Sequence, residues 1–435
     1  MKNGARYKPY QLYKKSGVEW LGEIPEHWTV TRVGENAHLI NGYPFDSARF
    51  DLNNGLPLVR IRDLQNQETQ VRYAGPPIPE ARIAEGDIII GMDGDFAVAR
   101  WRGGEALLNQ RLCSLRPKAS IAGNFLYYLL GTPLQLINDL THSTTVKHLS
   151  SSQVTKTKFG FPPECEQRAI GEFLDRETAK IDELIAKKER LIELLEEKRA
   201  ALITHAVTRG LNPDAPLRDS GIEWLGQIPA HWDVVMLKRM AQIRYGVGQP
   251  PRESTTGLPM IRATDLHSGK ISTDGLMHVD PIDVPWDRNP QLKENEIIVV
   301  RSGAYTGDSA IIPRELAGAI SGYDLVVTVT QADPKFLACA LLSRYFLESQ
   351  IDLIRLRAAQ PHLNAEELGT CILMHPPIEE QHQIVDHIEH ANSQMQEVAS
   401  KVNVAIDTLR EYRSALITAA VTGKIDVRNE VKAAV

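Results

Sequence analysis

Two long stretches of the chain carry apolar side chains at alternating intervals of four and three residues. Each stretch opens with a Pro-Pro pair, at Pro162 and at Pro376, and proline is tolerated in the first helical turn. Gly210 and Gly423 stand where helices commonly stop. The pattern predicts two long helices, and because such a heptad seam needs a partner, each is expected to pair with the other. The predicted coiled-coil seam consists of Ile170, Leu174, Ile181, Leu184, Leu191, Leu195 and Leu202 in the first helix and Ile384, Ile388, Met395, Val398, Val402, Leu409 and Leu416 in the second.

The segments around these helices follow a different pattern. Short apolar runs such as "DIIIG", "EIIVV" and "YDLVVTVT" are broken by Gly, Asp and Pro, which is typical of short strands. The stretches "GNFLYYLLGTPLQLINDL" and "PKFLACALLSRYFLESQIDLI" favour helices. Each segment therefore predicts an α+β domain of about 130–140 residues, an ordinary domain size. The predicted order along the chain is globule, long helix, globule, long helix.

The two halves of the chain repeat one another. "SGVEWLGEIPEHW" begins at Ser16 and "SGIEWLGQIPAHW" at Ser220, with ten of thirteen positions identical. "PPECEQRAI" returns as "PPIEEQHQI" and "ALITHAVT" as "ALITAAVT", both 214 residues later. Between these markers the two halves share only short, weaker similarities, such as "PLVRIRDL" with "PMIRATDL" and "VKHLS" with "QPHLN". A common frame with divergent inserts predicts one architecture that carries two different specificities.

Composition and charge narrow the class of protein. The 435 residues are 43% apolar and 24% charged, as in ordinary globular proteins. The apolar runs are too short to cross a bilayer, the N-terminus lacks the apolar region of a signal peptide, and the four cysteines are isolated, so we expect a cytoplasmic protein. The net charge of −6 argues against nucleic-acid binding by bulk charge. Segments 28–160 and 232–374 hold 14 and 14 Lys/Arg against 12 and 17 Asp/Glu, so any such binding must rest on local loops.

The motifs that mark common catalytic sites are missing from the sequence. It contains no Gly-rich phosphate loop, no (N/D)PPY stretch, no HExxH, no GxSxG and no paired CxxC. Asp93 and Asp95 could hold a divalent metal or supply a general base, although Asp-Gly at a strand end is usually a turn. His27 and His231, in the repeated segment, are more simply explained by packing beside the neighbouring tryptophans than by a ligand role. We therefore expect no catalytic residue, no metal site and no cofactor in this chain.

Taken together, these motifs resemble the specificity subunit of type I restriction-modification enzymes. The resemblance rests on the two "SG(V/I)EWLG.IP.HW" segments, the two "PP" helix openings with their "EQ" pair, and the two "ALIT.AVT" helix ends, and it covers roughly residues 7–425. It implies an α+β fold with two target-recognition domains separated by two long antiparallel helices. The implied parts are an N-terminal segment (1–27), target-recognition domain 1 (28–161), spacer helix 1 (162–208), a linker that repeats the N-terminal segment (209–231), target-recognition domain 2 (232–375), spacer helix 2 (376–423) and a tail (424–435).

The resemblance also implies a function and a set of partners. In this family each target-recognition domain reads one half of a bipartite, asymmetric site on double-stranded DNA, and the helices set the gap between the half-sites. Two methyltransferase subunits, which use S-adenosylmethionine, dock on the specificity subunit. Motor-nuclease subunits, which use ATP and Mg, complete the restriction complex. The chain itself is expected to be a non-catalytic subunit.

Two alternatives stay open on the sequence alone. A tandem protein-binding adaptor on a coiled-coil scaffold would fit the acidic net charge, and weak salt dependence of DNA binding would favour it. A fused enzyme would be supported by S-adenosylmethionine binding to the isolated chain. The repeated segment is expected to fasten each globule to a helix end through its Trp and Ile-Pro residues rather than to contact DNA.

Residues that read DNA should lie in loops at strand ends. Base edges are read by polar side chains, and phosphates are bound by cationic side chains and backbone N–H groups. In the first domain we predict contacts from Tyr43, Arg60, Arg62, Met92, Arg100, Arg102, Asn109, Gln110, Arg111 and Lys147. In the second we predict contacts from Tyr245, Arg262, Thr264, Arg301, Ser302, Tyr305, Thr306, Tyr323 and Gln360.

Overall fold

The computed structural model describes residues 7–64, 69–76, 78–140, 147–356 and 362–430. The chain divides into two compact units. Unit 1 comprises residues 1–187 and 404–435, and unit 2 comprises residues 188–403. Each unit therefore holds one globular insert together with part of each long helix. No helix in the described ranges combines the length and the apolar composition that crossing a membrane requires.

The described part of unit 1 contains short strands, three short or medium helices and the start of the first long helix. The strands are β1 (Tyr13–Lys15), β2 (Glu23–Pro25), β3 (Thr29–Arg32), β4 (Ala37–Asn41), β5 (Phe50–Asp51), β6 (Leu56–Val59), β7 (Arg72–Tyr73), β8 (Arg82–Ile83), β9 (Ile88–Gly91), β10 (Val98–Arg100), β11 (Ala106–Leu108), β12 (Leu112–Pro117) and β13 (Lys158–Phe161). The helices are α1 (Val33–Asn36), α2 (Gly123–Leu140), α3 (Ser151–Lys156) and α4 (Glu164–Arg209).

An antiparallel sheet in the order β10-β9-β12-β4 forms the centre of unit 1. In its register Cys113 lies opposite both Ile90 and Asn41. Helix α2 packs its apolar face, which includes Phe125 and Leu129, in one core with this sheet. A second sheet, in the order β5-β7-β6-β11-β8, contains the parallel pair β6 and β11. The loops at the ends of β4 and β9 and before β12 therefore meet at one edge of the central sheet.

Unit 2 repeats this plan with different loop lengths. Its strands are β14 (Leu217–Asp219), β15 (Gln227–Pro229), β16 (Asp233–Met236), β17 (Ala241–Tyr245), β18 (Glu253–Ile261), β19 (Leu266–His267), β20 (Lys270–Ile271), β21 (Met277–Val279), β22 (Ile297–Val299), β23 (Ser309–Ile311), β24 (Ile320–Ser321), β25 (Leu325–Val329) and β26 (Ile372–His375). Its helices are α5 (Leu237–Met240), α6 (Pro334–Leu341), α7 (Arg344–Phe346), α8 (Asp352–Arg355), α9 (Ala365–Thr370) and α10 (Ile378–Val421), with a π-helical turn at Leu347–Ile351.

The central sheet of unit 2 has the order β17-β25-β22-β23, which matches β4-β12-β9-β10 of unit 1. Leu325 lies opposite both Val299 and Tyr245, as Cys113 lies opposite Ile90 and Asn41. This common register confirms the predicted α+β repeat. The single helix expected over "PKFLACALLSRYFLESQIDLI" is instead broken at Ser343, where α6 ends and α7 begins.

The two long helices run antiparallel, as predicted. In unit 1 the start of α4 (Ile170, Leu174) shares a core with the end of α10 (Leu416, Ala420). In unit 2 the end of α4 shares a core with the start of α10, through Ile203, Val207, Ile384 and Ile388. The pairing in unit 1 is reinforced by an ion pair between Arg413 Nε and Asp182 Oδ1 at 2.8 Å.

The seam between the helices departs from the predicted one at individual positions. Leu184, Leu191 and Val398, placed in the seam by the heptad pattern, are 48%, 40% and 43% exposed. The sheltered stripe of α4 instead takes ten steps over 36 residues, or 3.6 residues per step. A straight α-helix has this period, whereas a strict heptad repeat requires supercoiling. The sheltered positions are Ile170, Leu174, Glu177, Ile181, Ile185, Lys188, Ile192, Leu195, Arg199, Leu202 and Ala206.

Candidate nucleic-acid interface

The repeated segment binds the start of one long helix and the end of the other. In unit 1, Trp28 is fully buried and its indole Nε1–H donates to Glu166 Oε1 at 3.2 Å. Nε2 of His27 lies 2.8 Å from Glu166 Oε2. Gly423 ends α10 with a φ of +70°, and a Cβ there would lie 3.2 Å from the Trp28 ring. We call this arrangement the helix-end clamp.

Unit 2 builds the same clamp from the second copy of the segment. Trp232 is fully buried, its Nε1–H donates to Glu380 Oε2 at 3.0 Å, and His231 Nε2 lies 2.8 Å from the same oxygen. Gly210, which follows α4 with a φ of +73°, would place a Cβ 3.2 Å from the Trp232 ring. The prediction that the repeated segment fastens each globule to the helix ends is confirmed in both units. The two histidines bind the helix-start glutamates, a role that the sequence did not reveal.

The clamp of unit 1 has an additional donor. The Tyr10 hydroxyl donates to Glu166, and the guanidinium carbon of Arg428 lies 5.1 Å from the Tyr10 ring centroid. Burial, followed by the hydrogen bond to Glu166, raises the pKa of Tyr10 well above its usual range. Glu166 is only 3% exposed, whereas Glu380, without such a tyrosine, is 23% exposed.

The loop edge of the central sheet in unit 1 brings several predicted residues together. We call it surface 1. Asp93 accepts a hydrogen bond from Arg111 Nη1 at 3.2 Å and lies 2.9 Å from His148 Nδ1. Tyr43, which is exposed, forms a backbone bridge with Asn109 at the same edge. The Asp93 carboxylate therefore contacts the side chains of both Arg111 and His148.

The other residues predicted in the first domain are more scattered. Lys147 donates to Asn138 Oδ1 at 2.8 Å, and Arg60 pairs with Asp63 at 3.1 Å, which caps a short turn. Arg100 pairs with Asp175 at 3.5 Å. Exposed side chains are those of Arg62, Arg102 and Gln110. Met92 is buried in the core of unit 1, so its predicted side-chain contact with DNA is wrong: the loop is in place, but the thioether points into the protein.

The matching edge of unit 2, which we call surface 2, is built around Arg301. The Arg301 guanidinium carbon lies 4.7 Å from the ring centroid of Tyr245 and 4.4 Å from that of Tyr323. Its Nη2 lies 2.5 Å from His362 Nε2. A guanidinium held between two aromatic faces gains cation–π attraction on both sides. His362 was not predicted, although the paired histidines of "VKHLS" and "QPHLN" carried the signal.

A cavity of about 300 Å³ adjoins this arginine. Among the residues that line it are the predicted Arg262, Thr264, Ser302 and Tyr323, together with Asp324. Burial raises the pKa of Asp324 to about 6, and the backbone N–H of Arg301, which donates to its Oδ1 at 3.2 Å, lowers it in part. Arg262 is held by Asp265, with Nε and Oδ2 3.2 Å apart.

Two further predictions in the second domain, Tyr305 and Thr306, lie apart from surface 2. Tyr305 is exposed beside a separate cavity of about 360 Å³ that Arg199 and Arg344 also line. Thr306 is fully buried and its hydroxyl donates to Gly303 O at 2.8 Å, so the predicted contact of its side chain with DNA is wrong. Gln360 lies outside the described residues.

Surfaces 1 and 2 occupy equivalent places in the two units. The Leu149 N–H donates to Met92 O at 2.7 Å, and the Leu363 N–H donates to Arg301 O at 2.7 Å. The backbone bridge of Asp93 with His148 likewise matches that of Ser302 with His362. The strand register then aligns Arg111 with Tyr323 and Asn41 with Tyr245. The backbone frame is thus preserved while the exposed chemistry changes. Within the described ranges, no group of three or more His, Cys, Asp or Glu side chains could hold a metal ion.

Comparison with known proteins agrees with this duplicated plan. The family model of the type I restriction modification DNA specificity domain matches twice, at residues 25–194 and 229–400. The EcoBI specificity subunit of Escherichia coli is 29% identical over 430 residues, covering 94% of this chain and 89% of that protein. The MjaVIII specificity subunit of Methanocaldococcus jannaschii is 23% identical, covering 96% and 98%. A structure solved in work on complex assembly and conformational transition of the type I R-M system is 16% identical, with a TM-score of 0.67 over 92% of this chain and 99% of that chain.

Proposed function

The chain belongs to the type I restriction-modification DNA specificity family, and we propose that surfaces 1 and 2 each read one half of a bipartite DNA site. As a specificity subunit it has two recognition domains, one in each unit. The assignment of one surface to each half-site is supported by the positions of the loops at the same sheet edge in both units.

One observation carries this proposal: a shared backbone frame presents different side-chain chemistry in the two units. The hydrogen bonds from Leu149 and Leu363 fix equivalent loops, yet the equivalent side chains include Met92 in one and Arg301 in the other. Direct readout depends on the donors and acceptors that side chains present to base edges. Two related frames with different donors are suited to reading two different sequences, which makes the combined site asymmetric.

The chain's partners follow from the same family membership. We propose that two methyltransferase subunits dock on it and that motor-nuclease subunits complete the restriction complex. S-adenosylmethionine, ATP and Mg would then act in those subunits and not in this chain. The helices α4 and α10, with 46 and 44 residues, would each extend roughly 65–70 Å at 1.5 Å per residue. In this proposal their length sets the gap between the half-sites.

A map of N6-methyladenine in host DNA, with and without the gene, tests this function. We expect an asymmetric bipartite motif with one methylated adenine in each half, and we expect it to disappear on deletion. An unchanged map, with the partner subunits present and active, would contradict the proposal. Binding of DNA by the purified complex should then be measured against salt, since phosphate contacts make affinity fall steeply with salt concentration. A flat salt response would favour the protein-binding adaptor.

A further inference from the structure

We propose that Arg301 recognises a guanine in the half-site read by unit 2, and that Tyr245, Tyr323 and His362 position its guanidinium for that contact. This inference rests on the proposed function and specifies a base that one unit selects.

The position of Arg301 is fixed by the frame that the two units share. It follows strand β22 at the loop edge, and its carbonyl accepts the 2.7 Å hydrogen bond from the Leu363 N–H. The equivalent bond in unit 1 supports Met92, whose side chain is buried. This backbone hydrogen bond is therefore common to both units, and only unit 2 presents a cation from this position.

Three side chains hold the guanidinium in one orientation. Its carbon lies 4.7 Å and 4.4 Å from the ring centroids of Tyr245 and Tyr323, both of which are themselves exposed. Because arginine carries no acceptor, the 2.5 Å contact makes His362 Nε2 the acceptor and Arg301 Nη2 the donor. An arginine fixed in this way has already lost rotamer freedom, so binding a ligand costs less entropy.

The charge of Arg301 is not neutralised by an ion pair among the described residues. Arg111 and Arg262 have carboxylate partners at 3.2 Å, but the nearby Asp324 accepts the backbone N–H of Arg301 instead of its guanidinium. Arg301 Nε is enclosed and has no partner in the described part of the chain. Because one Nη2 proton is donated to His362, the two Nη1 protons and the second Nη2 proton are the donors left for a ligand.

Guanine supplies the acceptor pair that fits this edge. In the major groove it presents O6 and N7, and a bidentate contact from arginine is the commonest specific contact to that base. A phosphate would also accept two hydrogen bonds from arginine. The two rings and His362 restrain the direction of the planar guanidinium, however, and a planar base edge benefits from that restraint more than a tetrahedral phosphate does.

The test uses the complete complex of this chain with its methyltransferase subunits. Methylation rates are measured on duplexes that carry the wild-type site or a substitution at each G·C pair of each half-site. For Arg301→Gln we expect the preference for one guanine, in one half-site only, to fall at least about tenfold. For Arg301→Lys we expect a smaller fall, because lysine can also donate to O6 and N7 but lacks the planar fork of arginine. Arg301→Lys retains a cation between the rings and so separates loss of charge from loss of the bidentate contact. Arg314→Gln, which removes an exposed arginine of unit 2, should leave every preference unchanged.

Two results would overturn the assignment of Arg301 to guanine. If both variants slow methylation equally on all duplexes and lower the dependence of binding on salt, Arg301 contacts a phosphate. If the guanine preferences are unchanged in Arg301→Gln, the residue reads no base. A wild-type complex that methylates no bipartite site would instead contradict the proposed function itself. The melting temperature of each variant complex distinguishes a changed preference from a misfolded unit.

Discussion

The helix-end clamps and the loop-edge surfaces have diverged to different extents within the same two units. In the clamps, Trp28 and Trp232 occupy the same buried place and donate to equivalent glutamates, Glu166 and Glu380. At the loop edges the backbone bonds are kept, but Asp93 with Arg111 in surface 1 is replaced by Ser302 with Tyr323 in surface 2. The clamp must satisfy the ends of two helices, which are chemically the same in each unit. The surfaces face outward, where nothing within the chain requires them to agree.

The two clamps also differ in one respect that can be measured. Glu166 receives donors from Tyr10, His27 and Trp28 and is almost fully buried. Glu380 receives donors from His231 and Trp232 and stays partly exposed. A buried carboxylate depends more on its hydrogen bonds than a hydrated one does. Unit 1 should therefore be more sensitive than unit 2 to loss of the clamp glutamate.

Loss of a clamp tryptophan should have the largest effect. Trp28→Ala and Trp232→Ala each remove a fully buried ring from the helix ends, and we expect each to lower the free energy of unfolding by about 3–5 kcal/mol. Denaturant unfolding of the chain measures this. Trp28→Phe keeps most of the packing and loses the Nε1–H donor, so it should cost less. Equal losses for Ala and Phe would mean that the hydrogen bond to Glu166, and not the packing, fastens the helices.

Removing the clamp glutamate should destabilise unit 1 more than unit 2. Glu166→Ala leaves the Tyr10 and Trp28 donors buried without an acceptor, and we expect a loss of about 2–4 kcal/mol. Glu380→Ala should cost only about 1–2 kcal/mol, because water can reach the vacated donors. The same unfolding measurement compares them, with the corresponding Gln variants as controls that retain an acceptor. A loss in unit 2 as large as in unit 1 would refute the comparison.

Local sequence information explains which of these features could be predicted. The clamp could be predicted because tryptophan is rare and recurs with the same neighbours, so Trp28 and Trp232 stood out. The predicted seam was displaced by one residue at Leu184, Leu191 and Val398 and coincides with the sheltered stripe at Leu195 and Leu202. A 3.5-residue period and a 3.6-residue period differ by only one residue over ten steps, so the pattern located the stripe but not each of its members. Met92 and Thr306 lie in correctly predicted loops, but the direction of a loop side chain depends on tertiary packing. The contact between Arg301 and His362 joins residues 61 positions apart, so the repeated histidine of "QPHLN" could mark His362 but not its partner.

The buried carboxylate of surface 2 should give unit 2 a pH dependence that unit 1 lacks, since the equivalent of Asp324 in unit 1 is Leu112. The pKa of Asp324 in the folded chain, about 6, lies above that of an unfolded aspartate, so the folded state binds its proton more tightly. This group therefore adds stability as pH falls from about 6 towards 4. Relative to Asp324→Asn, the wild-type chain should gain about 2 kcal/mol between pH 7 and pH 4.5. Parallel pH profiles of the two proteins would show that Asp324 titrates normally.

The smallest effect is expected at the positions that the heptad pattern placed in the seam and the structure leaves exposed. Leu184 and Val398 are equivalent positions in α4 and α10, and each is more than 40% exposed. We expect Leu184→Ala and Val398→Ala to change the free energy of unfolding of the isolated chain by no more than about 0.5 kcal/mol. Ile181→Ala, one step earlier in the sheltered stripe of α4, provides the matched control and should cost about 2–4 kcal/mol. If Leu184→Ala proved as costly as Ile181→Ala, the helices would pair through a 3.5-residue seam and would have to supercoil.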